Sequence, residues 1–339
     1  MTATQARLLE HRTTVDDYLG PGDRRFFGKG YKRADQQLHQ IRLEPTADGS
    51  GTARARAQVG YPTDWSRKGK SDQAPHLSSI DVLLIAGELT EAYLVHTYRL
   101  DADQRQRLRL SNVSIKAGNQ PVEDDLTGFA VDVTFTPGPN AGTSRADCQV
   151  GNMRVRLDVE HPHTTPATDP ADHPDLHALL GPPELRPFAH AHKHRAQRID
   201  QVSLAPERTD AGAVLTVRRE GPAGLAVTGL ESHSHRGTSL IDAFVTVIQL
   251  GQILLYEFDQ VDRADSSTLW MRHTLLESRT PGDPGTGPLP VATRLEDLQV
   301  LTNRQGDQWR CADIVGDAGP YTVRCSVAHR LPTSEGGAV

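Results

Sequence analysis

Two carboxylates, Glu88 and Glu91, and two amides, Gln249 and Gln252, sit three residues apart inside two long apolar stretches of the chain. Burying such groups without partners costs about 1–3 kcal/mol each. They therefore belong either to a hydrogen-bonded network or to a ligand cavity. Burial can raise a carboxylate's pKa until it exchanges a proton near neutral pH, whereas an amide only donates or accepts hydrogen bonds. Glu91 and Glu88 are thus candidate general bases, and Gln249 and Gln252 candidate donors to a carbonyl or oxyanion. His76 lies 12 residues before Glu88 and 15 before Glu91; His233, His235 and Arg236 lie 16, 14 and 13 before Gln249. A histidine facing a carboxylate suits general acid–base work. In a chain with 15 histidines, an ordinary surface histidine is the simpler reading. Asp81 and Asp242 stand at the starts of the same stretches, where a carboxylate caps free backbone N–H groups and complements the helix dipole.

Periodicity shows which elements must position these residues. Ile80–Leu94 and Leu240–Leu255 are too long for strands and too apolar for surface helices, so each predicts a buried helix. At about 100° per residue, Asp242, Thr246, Gln249 and Gln252 lie at about 0°, 40°, −20° and −80°, one polar stripe on an apolar cylinder. Asp81, Glu88 and Glu91 fall at the equivalent angles. The stretches align without a gap: Ile80-Asp81 meets Ile241-Asp242 at an offset of 161 residues, and Leu89, Leu94 and Leu108 meet Leu250, Leu255 and Leu269. Strand-like runs at 38–44, 53–60, 107–116, 127–136 and 146–160 flank the first helix. Runs at 199–206, 211–219, 267–277, 292–302, 307–316 and 320–329 flank the second. The chain reads as one unit used twice: 1–160, then a Pro- and His-rich linker at 161–198, then 199–339. A helix apolar all round must be covered on nearly all sides, and a curved antiparallel sheet does this. The expected class is α+β, a double hotdog of two antiparallel sheets each wrapped around one long apolar helix. The internal pair would stand in for the usual homodimer.

Bulk composition narrows the function. A net charge of −6 over 339 residues argues against nucleic-acid binding. No apolar run approaches the ~20 residues that span a bilayer, and no apolar core of a signal peptide is visible near the start. Cys148, Cys311 and Cys325 are few and widely spaced, as in a reducing compartment, so a cytoplasmic location is expected. They lie in strand patterns and read as core rather than nucleophiles. The sequence has no GxSxG elbow, no P-loop and no GxGxxG after a strand; Gly28-Lys29-Gly30 lacks a phosphate loop's flanking elements. His190, His192 and His194 would share one face of a strand and could hold a metal. The Pro-rich surroundings favour a polar linker instead, so neither metal nor other cofactor is expected. The basic run from His190 to Arg198 could dock an acidic carrier protein.

Asp17-Tyr18-Leu19-Gly20-Pro21-Gly22 followed by Arg25-Phe26-Phe27-Gly28-Lys29-Gly30-Tyr31 resembles the opening of the bacterial avirulence D, or AvrD-type, proteins. His76-Leu77-Ser78-Ser79-Ile80-Asp81 resembles a second block. Ser234-His235-Arg236-Gly237-Thr238-Ser239-Leu240-Ile241-Asp242, with Gln249, Gln252 and Leu269-Trp270-Met271-Arg272, resembles a third. The resemblance implies a part in making syringolide-like acyl-sugar lactones, where a β-ketoacyl chain is joined to a pentulose such as xylulose. The family is also similar to the A-factor synthase group of double-hotdog proteins, which join β-ketoacyl thioesters to a three-carbon phosphate. The implied activity is an acyltransferase or condensing enzyme taking a β-ketoacyl thioester, carried on acyl carrier protein or coenzyme A, and a sugar or polyol. Catalysis would fall to Glu91, Glu88, His76, His235 and Arg236, and substrate contacts to Asp81, Asp242, Gln249, Gln252, Arg272 and Tyr31. Two alternatives stand beside it. A non-catalytic acyl-ligand binder fits the second copy, which has Gln where the first has Glu; a plain hotdog dehydratase or thioesterase fits the His76 spacing. A monomer or homodimer is expected, with no nucleic-acid or membrane partner.

Overall fold

The structure, a computed structural model, describes residues 13–332 apart from 63, 65–66, 69–70, 73–74, 119–125, 221–225, 264–265, 267 and 280–285. Its main helices are α1 (Val15–Leu19), α2 (Ser79–Tyr98), α3 (His177–Leu180) and α4 (Leu240–Asp259). The two long ones are built alike. Ser78 and Ser239 are the N-caps, and Asp81 and Asp242 close the capping boxes from the third helical position. Both helices run 20 residues and end on a left-handed residue, Arg99 or Gln260. In α2 every residue but His96 is buried. By length and composition α4 could cross a membrane, a point the sequence reading missed, but it lies inside the protein as a core helix.

The strands are β1 (Asp35–Pro45), β2 (Gly51–Gly60), β3 (Arg109–Lys116), β4 (Phe129–Pro137), β5 (Thr143–Val150), β6 (Met153–Glu160) and β7 (Ala171–Asp175) in the first part of the chain. The second part adds β8 (Arg195–Leu204), β9 (Asp210–Arg219), β10 (Trp270–Ser278), β11 (Leu289–Thr302), β12 (Gln308–Ala318) and β13 (Tyr321–Arg330). Most alternate, as β6 does: Val155, Leu157 and Val159 point inward while Arg154 and Arg156 point out. The inward residues pack on α2 or α4, so each half is a long helix wrapped in antiparallel sheet, the hotdog arrangement.

Three expectations need correction. The two sheets are one continuous sheet of 13 strands, in the order β8-β9-β11-β12-β13-β10-β3-β6-β5-β4-β2-β1-β7. Its halves are joined where β3 pairs with β10, from Lys116 on His273 to Asn112 on Glu277. The single run expected at 146–160 is a hairpin, because Gly151 takes a left-handed turn conformation (φ 57°) between β5 and β6. The segment at 161–198 is not a plain linker. It holds the edge strand β7, the helix α3 and two 3-10 turns, and β8 begins at Arg195 inside it.

Reading outward from the β3–β10 seam, both halves repeat the same sequence of equivalent strands. The offset of 161 carries β1 onto β8, and the left-handed Gln40 (φ 54°) onto the left-handed Gln201 (φ 53°). It also carries the segment before β1 onto the segment before β8. Gly20 (φ 79°) meets Gly181 (φ 78°), Arg25 meets Arg186 and Phe27 meets Phe188. Each half thus begins with an arm, and the arms cross. The first arm packs α1 on α4, while the second packs α3 on α2. Asp175 pairs with His39 on β1, and its counterpart Thr14 pairs with Asp200 on β8.

Candidate functional site

The crossed arms bring an arginine to the middle of each long helix. Arg186 reaches Glu88 on α2, with Nη1 3.0 Å from Oε2. Arg25 reaches the equivalent Gln249 on α4, with Nη1 donating to Oε1 at 2.5 Å. Phe188 and Phe27 anchor these contacts. Phe188 lies so close over Gly87 that a Cβ there would stand 2.3 Å from the ring, and Phe27 meets Phe244 edge-on at 6.2 Å.

Glu88 and Arg186 are both buried, and their contact is an ion pair without an aligned hydrogen bond. Among the described residues, Glu88 Oε1, Arg186 Nε and Arg186 Nη1 have no hydrogen-bond partner. Burial raises the Glu88 carboxyl from 4.5 to about 7; Arg186 opposes the shift and Glu91 adds to it. A carboxyl with one bare oxygen, titrating near neutrality beside a guanidinium, can take and return a proton.

Glu91 is placed differently. Its Oε1 accepts from Arg105 Nε at 3.1 Å and Nη2 at 2.7 Å, and its Oε2 accepts from the Leu230 N–H at 3.0 Å. Arg105 Nη2 also donates to the Leu180 carbonyl of α3 at 3.0 Å. Gly229 crosses directly over this carboxylate at φ 115°, where a side chain would strike Oε1 at 2.4 Å. With both oxygens occupied, Glu91 ties α2 to the second half.

The helix starts form a separate network. Asp81 accepts from Gln36 Nε2 at 2.6 Å, Tyr61 OH at 2.5 Å and the Ser78 N–H at 2.9 Å. Asp242 accepts from Gln197 Nε2 at 2.6 Å, Arg195 Nε at 2.9 Å and the Ser239 N–H at 2.8 Å. Tyr31 is buried there, accepting from Gln197 at 3.0 Å and stacked on His192 at 6.1 Å. His76 is half-buried beside Asp81, its carbonyl accepting from Tyr61 at 2.9 Å. Glu91 lies ten residues beyond Asp81, about 15 Å along the helix, so His76 and Glu91 are not brought together.

His235 is buried beside a cavity of about 10 Å³, room for about one water, which Phe188, Glu231 and His192 also line. Burial, with Arg195 nearby, pushes the His235 ring down to about 3, which favours its neutral form. Arg236 and Arg272 point to solvent, and Gln252 is half-buried. His190, His192 and His194 fall on and beside a 3-10 turn rather than a strand, so they do not share a face. Arg186, Arg105 and Arg25 went unrecognised in the sequence. The same offset would have found two of them, since Leu19-Gly20-Pro21 and Arg25 recur as Leu180-Gly181-Pro182 and Arg186.

The family model of the Pseudomonas avirulence D protein (AvrD) matches residues 10–332. This chain belongs to the avirulence D family. No curated protein sequence matches it. Among solved structures it is similar to a hotdog-fold protein of unknown function from Alicyclobacillus acidocaldarius, at 12% identity and TM-score 0.34, over 85% of this chain and 97% of that one. It is also similar to the dehydratase domain from the CurJ module of curacin polyketide synthase, at 13% identity and TM-score 0.35, over 87% and 96%. Within this avirulence D chain, the Glu88–Arg186 pair is where the geometry offers both a proton carrier and a fixed cation.

Proposed function

We propose that this avirulence D protein is a double-hotdog acyltransferase of the cytoplasm. It would move a β-ketoacyl group from a carrier thioester to a hydroxyl of a sugar or polyol, on the way to an acyl-sugar lactone. Glu88 is the base. Its free Oε1 takes the proton of the acceptor hydroxyl as that oxygen attacks the thioester carbonyl. Arg186 holds the oxyanion of the tetrahedral intermediate. Collapse expels the thiolate, which takes the proton back from Glu88. The thioester is already activated, so no covalent nucleophile is needed. The observation that carries this reading is the bare, buried Glu88 oxygen beside Arg186; the choice of substrates rests on the family resemblance and is part of the proposal.

Incubating the purified protein with a β-ketoacyl carrier thioester and xylulose, then seeking the ester by mass spectrometry, tests it. The ester is expected, and Glu88→Gln should lower its formation by about 10²–10⁴-fold, as for loss of a general base. No ester across several sugars and chain lengths defeats the proposal. A second reading, an acyl-ligand binder without turnover, draws on the amides Gln249 and Gln252 at the equivalent positions of α4. Native mass spectrometry showing bound ligand and no product would favour it.

A further inference from the structure

The cavity beside His235 has walls that the proposed chemistry does not use. His192, only 2% exposed, forms part of them. Its Nδ1 lies 3.1 Å from the Pro187 carbonyl, which can only accept, so Nδ1 carries the hydrogen. Burial, and to a lesser extent Lys193, lower this ring to about 3, which favours the neutral form. Nε2 is then a bare acceptor, and among the described residues nothing donates to it. Ser239, Leu240 and Ile241, the start of α4, form another part of the wall. The Ser239 N–H donates to the Asp242 carboxylate, and the Asp242 N–H to Ser239 Oγ. The N–H groups of Leu240 and Ile241, the first two helical residues, have no acceptor within the helix. One small cavity thus joins a buried acceptor to the donors of a helix start. Among the residues around it only Ser239 is partly exposed, so solvent approaches from that side.

We propose that this cavity is an alcohol-binding subsite, taking one hydroxyl of a polyol that donates to His192 Nε2 and accepts from the Leu240 or Ile241 N–H. A hydroxyl is the small group that does both. A carboxylate or carbonyl has no hydrogen for Nε2. An ammonium has no lone pair for the helix N–H groups and meets the positive end of the dipole. The volume, room for about one water, admits a single hydroxyl, with the rest of the polyol lying outside. Phe188 is shared: it forms part of this wall, and its ring rests on Gly87, the neighbour of Glu88. The subsite therefore stands beside the Glu88–Arg186 pair and holds a hydroxyl other than the one Glu88 deprotonates. The choice of a polyol rests on the proposed function; the hydroxyl chemistry rests on the cavity alone.

Calorimetric titration of the whole protein with xylulose and glycerol, without any thioester, tests it, with acetate as the comparison. Both polyols are expected to bind saturably, and the nitrogen resonance of His192 Nε2 to move as its lone pair accepts a hydrogen bond. His192→Phe keeps an aromatic ring but no acceptor, and should weaken binding by about tenfold, as for one lost hydrogen bond. His192→Gln, whose Oε1 can stand near the place of Nε2, should restore most of it. Because no thioester is present, failure to find ester in the transfer assay leaves this binding result standing. Ester formed by a protein whose His192 signal ignores the polyol removes the subsite alone. The inference is overturned if neither polyol binds, if acetate binds as tightly, or if the His192 resonance stays fixed, which would mean a cavity closed around water only.

Discussion

Glu91 shares its oxygens between Arg105 and the Leu230 N–H, while Glu88, one turn earlier, keeps one oxygen free. Glu91→Gln would leave Arg105 buried without its acid, a loss of about 3–5 kcal/mol. It should therefore appear first as a lower melting temperature, with activity per folded molecule held. The pH dependence belongs to Glu88. Its folded-state pKa is raised to about 7, so the folded protein holds that proton more tightly than the unfolded chain does. The stability this contributes is complete below the ordinary carboxyl value of 4.5 and is lost as pH rises through about 7. Measured against Glu88→Gln, wild type should lose stability across that window, while turnover, which needs the carboxylate, should rise through its upper end. Glu231 is also raised to about 7 but is present in both proteins, so the difference isolates Glu88. A flat difference between the two stability curves would reject the assignment. The sequence marked both glutamates as mid-helix and unable to cap. It could not separate them, because the distinction lies in Arg105, Arg186 and Leu230, 14 to 139 residues away.

Helices α2 and α4 were legible as elements because they are long and apolar with a polar stripe, and their shared offset survives in Ser-x-x-Asp caps. Strand positions were legible from alternation. The crossed arms were not: proline masks the second one, and 3-10 turns leave no periodicity to read. Yet the arms set the site. Phe188 rests on Gly87, and Arg186 lies two residues before it. A methyl at Gly87 would meet the ring at 2.3 Å, so Gly87→Ala should cost about 1–3 kcal/mol by overpacking. It should also shift Arg186 off Glu88 and lower turnover by more than the stability loss explains. Gly251 offers the control. Its added Cβ would meet Ile314 of β12 at 2.5 Å, away from either arm. Gly251→Ala should lose stability alike but keep more of its turnover. Equal turnover losses in the two variants would remove the arm from the mechanism.

At the scale of the whole molecule, a single sheet joins the halves through β3 and β10, and each half lends its arm to the other's helix. The duplication was legible in the sequence; the joined sheet and the exchange were not, because both depend on contacts between distant segments that one periodicity cannot report. The exchange has a consequence for folding. Residues up to 160 alone would lack the arm that covers α2, exposing Gly87 and leaving Glu88 without Arg186. The remaining fragment would lack α1, Arg25 and Phe27 against α4. Such crossed structure resembles a domain-swapped dimer closed within one chain. A protein cut in two at residues 168–169, ahead of β7, should therefore give no cooperative melt from either fragment alone. Mixed in equal amounts, the fragments should recover one cooperative transition with a concentration-dependent midpoint. Two fragments that each melt cooperatively by themselves would mean that the halves are independent units and that the arms only decorate them.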